Sequence, residues 1–198
     1  MFNKSRLSFA RKRRRLTGKG LAELSGLSAV TVSRLENGSN EPDEATIGKL
    51  ARALDYPVAF FLNDDDLEEI DTDAVSFRSL TKMSAKERDA AIAAGSLGLQ
   101  VSDWVEAEFN LPDTNLLDLS YETDPEAAAK SLRQFWGLGE KPISNVIGLL
   151  EVNGIRVFSL CEDTATVDAF SFWRDERPFV FLNNFKTAEH SIFDAVHE

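Results

Sequence analysis

The chain has 198 residues, 43% of them hydrophobic and 28% charged, with a formal net charge of −11. That length holds one large or two small cores. No apolar run approaches the roughly 18 residues of a membrane span, and the N-terminus lacks the apolar stretch of a secretory signal. A single cysteine, Cys161, makes no internal disulfide, which fits a cytoplasmic setting; it reads as a small hydrophobe beside a strand. The charge is unevenly divided. Residues 1–20 carry eight Lys/Arg and no acid, and residues 1–62 hold eleven basic and six acidic side chains, a balance of +5. Of the 22 basic and 33 acidic residues in all, eleven and twenty-seven remain for the rest, a balance of −16. Two domains with different partners follow, and a polyanion suits only the first.

Periodicity predicts five short helices in the first sixty residues. Leu7 to about Leu16 sets an apolar edge (Leu7, Phe9, Ala10, Leu16) against the basic run Arg11–Arg15. Thr17-Gly-Lys-Gly20 opens a second helix with Leu21, Ala22 and Leu24 as its buried candidates, and Gly26 supplies a turn. Ser28 caps a third helix, Ala29 to Glu36, which Asn37-Gly38 ends. Pro42-Asp43 leads into a fourth with Ile47, Leu50, Ala51 and Leu54 on one stripe, and Pro57 starts a fifth over Val58–Leu62.

A short helix, a glycine turn and a capped second helix are the sequence form of a helix-turn-helix. The text from Leu21 to Gly38, with its Leu-Glu-Asn-Gly ending and the Leu-Ala helix beyond Pro42, resembles the Cro/C1-type (XRE-like) helix-turn-helix family over about residues 5–63. The resemblance implies a lambda-repressor-like domain whose third helix enters the major groove of double-stranded DNA. It makes Ala29, Val30, Ser33 and Arg34 the base-edge candidates and lets Ser28 and Thr31 reach phosphates or bases, while Val32 and Leu35 face the core. Arg34 is the sharpest candidate, because a guanidinium bonds guanine bidentately; an ion pair with Glu36 or Glu41 is the alternative. Arg11, Arg14, Arg15 and Lys19 are candidate phosphate contacts, against the reading of a merely solvated helix face. Gly18 and Gly20 either let backbone N–H groups approach a phosphate or give loop freedom.

Asn63 to Asp73 is strongly acidic and reads as a flexible or extended connector, with residues 64–75 as the linker. Beyond it Ser84-Ala-Lys-Glu87 forms a capping box opening a helix to about Phe109, with Ala91, Ile92, Leu97, Leu99, Val101, Trp104 and Val105 apolar. Gly95 and Gly98 mark either a kink or close packing. Asp124-Pro125 opens a further helix, closed at Gly137, and Pro142 another, closed at Gly154. The period then drops to two over Ile155–Leu160, Val167–Trp173 and Phe179–Leu182, which predicts three short strands in an antiparallel sheet ended by Asn183-Asn184. The expected architecture is mostly α and multidomain: a five-helix domain at 1–63 and an α+β domain with a three-stranded sheet at 76–198.

The last helix, capped by Thr187 and striped by Ile192, Phe193 and Val196, stops mid-pattern at His197-Glu198, the first two letters of the zinc motif H-E-x-x-H. The segments Gly154-Ile-Arg-Val, Asp168–Trp173, Pro178–Asn184 and this helix together resemble the ImmA/IrrE-like zinc metallopeptidase domain. That resemblance implies His197 as a zinc ligand and Glu198 as a general base, if the motif is completed. The remaining ligands have no counterpart here, and His190 lies seven residues, about 10.5 Å along a helix, from His197. No cofactor is therefore expected in this chain, and zinc only in a longer parent. The functional expectation is a sequence-specific DNA-binding transcriptional regulator, a repressor or antitoxin-like protein. It would be homodimeric, cytoplasmic, without membrane contact and catalytically incompetent in this chain. Two alternatives stand beside it. One is a fragment of an active zinc endopeptidase that cleaves a regulator; the other is an antitoxin-like module that binds a protein partner such as a toxin.

Overall fold

A computed structural model describes residues 1–77, 83–160, 167–183 and 188–197 of the chain. Cys161, Asn184, Thr187 and Glu198 lie outside the described residues. Helix α1 (Lys4–Arg13) starts three residues earlier than the apolar pattern predicts, because Asn3 caps it: its side chain accepts from the backbone N–H groups of Ser5 and Arg6. Then come α2 (Gly18–Ser25), α3 (Ala29–Glu36) and α4 (Glu44–Leu54). Leu7, Ala10, Leu21, Val32, Leu35, Leu50, Leu54 and Phe61 close one core among them.

Two expectations for this half are corrected. Leu24 is exposed, not buried: the inward stripe of α2 runs through Leu21, Ala22 and Ser25, and position 24 turns away from it. The predicted fifth helix is a 3₁₀ turn over Val58–Leu62, with Phe60 N–H reaching back three residues to the Pro57 carbonyl. Five residues are too few for an α ladder, and the turn is held by aromatic contact. The Phe60 ring lies 4.4 Å from that of Tyr56 and 5.3 Å from that of Phe61.

The second half surrounds a sheet. Strands β1 (Ser76–Phe77), β2 (Arg156–Leu160), β3 (Ala169–Arg174) and β4 (Arg177–Asn183) lie in the order β1-β3-β4-β2. The sheet has four strands and is mixed: β1–β3 and β3–β4 are antiparallel, whereas β2 runs parallel to β4. The sequence missed β1, since two residues carry no period, and it missed the parallel pair because periodicity shows which face a residue occupies but not which strand lies alongside. Asp175 and Glu176 turn the β3–β4 hairpin, Asp175 with φ 54°.

One sheet face packs on α5 (Ala85–Glu108) through a stack of phenylalanines, Phe170, Phe172, Phe179 and Phe181. Here the glycine alternatives resolve. Helix α5 is continuous, and a Cβ on Gly98 would sit 2.7 Å from the Phe181 ring, while one on Gly95 would meet Ile70 and Phe170. Both glycines serve close packing. Past Leu99, α5 still meets the sheet through buried Ser102 and through Asp103 and Glu106, which pair with Arg174 and Arg156, so Val101 and Trp104, read as apolar helix positions, fall on its outer face and are exposed. The other face carries Ala169, Val180 and Leu182 against Val146 and Ala195, from α7 (Val146–Val152) and α8 (Ala188–His197), with α6 (Pro125–Phe135) outside them. Helix α7 starts at an Asn145 cap, not at Pro142.

Candidate nucleic-acid interface

Thr17 Oγ1 accepts from Gly20 N–H at 3.0 Å and fixes the start of α2. Gly26, in the left-handed region at φ 67°, ends that helix and turns the chain; a side chain there would be strained. Ser28 then caps α3, its Oγ accepting from Thr31 N–H at 3.0 Å and lying 2.8 Å from Thr31 Oγ1. Val32 and Leu35 anchor α3 in the core. With two of eight residues pinned inward, the helical period leaves Ser28, Ala29, Val30, Ser33 and Arg34 exposed and Thr31 half-buried. Val30 is 59% exposed. All six recognition candidates therefore share one exposed surface at and beyond the N-terminus of α3.

The basic run divides differently. Arg11 faces α3: Nε and Nη2 donate to the two Glu36 carboxylate oxygens at 2.6 and 3.2 Å, and Nη1 donates to the Leu16 carbonyl at 2.9 Å. This pair neutralises an acid at the helix end where an acid is least welcome. Arg14 donates Nε to the Leu54 carbonyl at 2.7 Å and Nη2 to the Asp55 carbonyl at 3.1 Å, capping the end of α4. Its guanidinium lies 5.3 Å from the centre of the Tyr56 ring. Arg15 stands at φ 56° in the turn after α1. Lys19 is exposed in the first turn of α2, with Glu23 at 3.8 Å. Glu36, the alternative partner for Arg34, is taken by Arg11.

Two features of this surface escaped the sequence reading. Lys4 lies across the turn after α3, its Nζ 3.2 Å from where a Cβ on Gly38 would be. Asn37, Ser39 and Asn40 extend the exposed polar surface beyond α3, and their Asn-Gly-Ser-Asn run was the legible signal. Asp43, capping α4, accepts from Thr46; the hydrogen bond with the Thr46 side chain, then that with its N–H, hold the carboxyl below the usual range.

Residues 7–61 match the helix-turn-helix family HTH_3. This segment is a helix-turn-helix domain. Over 48 residues the chain is 52% identical to the HTH-type transcriptional repressor RghR of Bacillus subtilis (strain 168). That stretch is 24% of this chain and 36% of the relative, so the chain spans about a third of the length of the curated relative it matches.

Among the described residues no three His, Cys, Asp or Glu side chains converge as a metal site. His190 and His197 both lie in α8, seven residues apart, too far along one helix to share an ion. Among the described residues no helix is long and apolar enough to cross a membrane.

Proposed function

We propose that this chain is a sequence-specific regulator of transcription, a repressor that binds double-stranded DNA in the cytoplasm as a homodimer and reads bases with α3. The observation that carries this reading is the split of α3. Val32 and Leu35 lock it into the core, while an apolar side chain, Val30, and an unburied guanidinium, Arg34, are held out together beside two hydroxyl residues. An exposed valine flanked by small polar groups suits the thymine methyl and base edges of a groove better than it suits water. The similarity of residues 7–61 to helix-turn-helix domains supports the same reading. Paired half-sites would supply the affinity that one domain lacks.

Selection of duplexes from a random pool by the intact chain, followed by binding across a salt series, tests it. The expected result is one enriched, two-fold-related motif, with log K falling by about 0.9 per phosphate neutralised. Recovery of an unenriched pool at low salt would refute sequence-specific reading.

A second reading has its own observation. Ile192 and Val196 of α8 are exposed on the same side of the sheet as Trp173, itself 57% exposed, and Phe193 is exposed on α8 too. Apolar surface of this kind suits a protein contact, as an antitoxin-like module or a peptidase-like domain acting on a regulator would have. Titration of the chain against candidate partner proteins by light scattering separates this reading from a role confined to DNA.

A further inference from the structure

The acidic stretch after the helix-turn-helix domain is tied at both ends. Arg6, buried in α1, ion-pairs with Asp65 at 2.9 Å, and its Nε donates to the Asp65 carbonyl at 2.9 Å. Ser5 Oγ donates to Asp66 Oδ1 at 2.5 Å. Asn3 Nδ2 donates to the Asn63 carbonyl at 3.1 Å and to Asp66 Oδ1 at 3.2 Å. Three residues after Asp65 the partners change domain. Glu68 meets Arg174 of β3 at 2.7 Å, and the same guanidinium reaches Asp103 of α5 at 2.5 Å. Between and beyond these anchors Leu67 is buried and Ile70 packs on the phenylalanine core under the sheet. Helix α1 runs beside α5, where Phe9 and Lys12 share a crevice of about 180 Å³ with Ile92 and Ala93.

We propose that residues 63–71 are a strap that fixes the helix-turn-helix domain on the α+β half, so that the sheet and α5 set the orientation of α3. Charge alone would make this segment a solvated linker, with six Asp/Glu in residues 64–71. The structure divides those acids by role. Asp65 and Asp66 hold α1, Glu68 holds the sheet, and the apolar Leu67 and Ile70 point into protein. A flexible chain of nine residues would have an end-to-end spread of roughly 15–18 Å. The strap removes that freedom, and a partner that lifts Glu68 from Arg174 would restore it. This inference does not depend on what α3 reads.

The test is pulsed electron paramagnetic resonance on the full chain. Spin labels are placed on Lys49→Cys in α4 and Lys130→Cys in α6, both exposed, with Cys161→Ser as background. The native strap gives a single narrow distance. In Glu68→Arg, which sets two like charges against each other, and in the triple variant Asp65→Ala, Asp66→Ala, Glu68→Ala, that single distance is lost to a broad distribution. A broad distribution in the native strap overturns the proposal, and so does a narrow one in both folded variants. Should the triple variant fail to fold, Glu68→Arg decides alone, because the Glu68 side chain is 45% exposed. Calorimetry gives an independent readout. One transition is expected for the native strap and two for Glu68→Arg; two transitions in the native chain would count against a fixed joint.

Discussion

Arg11 separates a fold residue from a DNA contact, and a double-mutant cycle with Glu36 measures which it is. Their side chains are 18% and 17% exposed, so the pair lies between a surface ion pair, worth about 0–1 kcal/mol, and a fully buried one, whose breakage costs about 3–5 kcal/mol. Two donor–acceptor contacts join the carboxylate to Arg11, and a third ties Nη1 to the Leu16 carbonyl. Removing the Glu36 carboxylate leaves the guanidinium with only that third contact, so Glu36→Ala is expected to cost about 1.5–2 kcal/mol and Arg11→Met a similar amount. The double variant loses less than the sum, with a coupling of about 1–1.5 kcal/mol. Urea unfolding followed at Tyr56, the tyrosine of this domain, gives the four stabilities. DNA binding of Arg11→Met at several salt concentrations gives the second readout, with an unchanged slope of log K. A coupling below about 0.3 kcal/mol, together with a slope shallower by about 0.9, would show that Arg11 serves phosphate and that the ion pair is incidental.

Arg34→Ala is expected to relax base preference at one position of the selected site by about 1–3 kcal/mol while leaving the unfolding midpoint unchanged, as read by repeating the selection with the variant. Gly98→Ala gains about 1 kcal/mol of helix propensity but places a methyl 2.7 Å from the Phe181 ring, so a net loss of about 1–2 kcal/mol is expected by urea denaturation of the α+β half. Leu50→Ala, at a fully buried site of the helix-turn-helix core, is expected to cost about 2–5 kcal/mol by urea denaturation and to lower the temperature at which DNA binding is lost. The Asp66 carboxyl is held below its usual pKa, first by the Ser5 side chain and then by Asn3. A depressed folded value means that stability is present above the unfolded pKa near 3.8 and is lost as pH falls through the folded value. An acid titration of stability should therefore be flatter below about pH 4 in Asp66→Asn than in the native chain.

The first sixty residues determined most of their own structure. Thr17, Ser28 and Asp43 cap, Gly26 turns left-handed, and Leu21, Val32, Leu35, Ile47 and Leu50 recur at helical spacing. All of these signals act within a few residues of where they are written. The exposed face of α3 was legible for the same reason, since fixing Val32 and Leu35 inward fixes Val30 and Arg34 outward. What the sequence by itself could not decide were partners distant along the chain. Arg11 and Arg14 read as free charge until the fold brought Glu36 and the end of α4 beside them. The acidic stretch read as linker until Arg6 and Arg174, more than a hundred and sixty residues apart, took its carboxylates from two sides. Likewise the parallel β2–β4 pair depends on which strand lies alongside, which a two-residue period cannot encode. Local backbone chemistry is written in neighbouring residues, whereas ion pairing and strand order are chosen only when the chain has closed on itself.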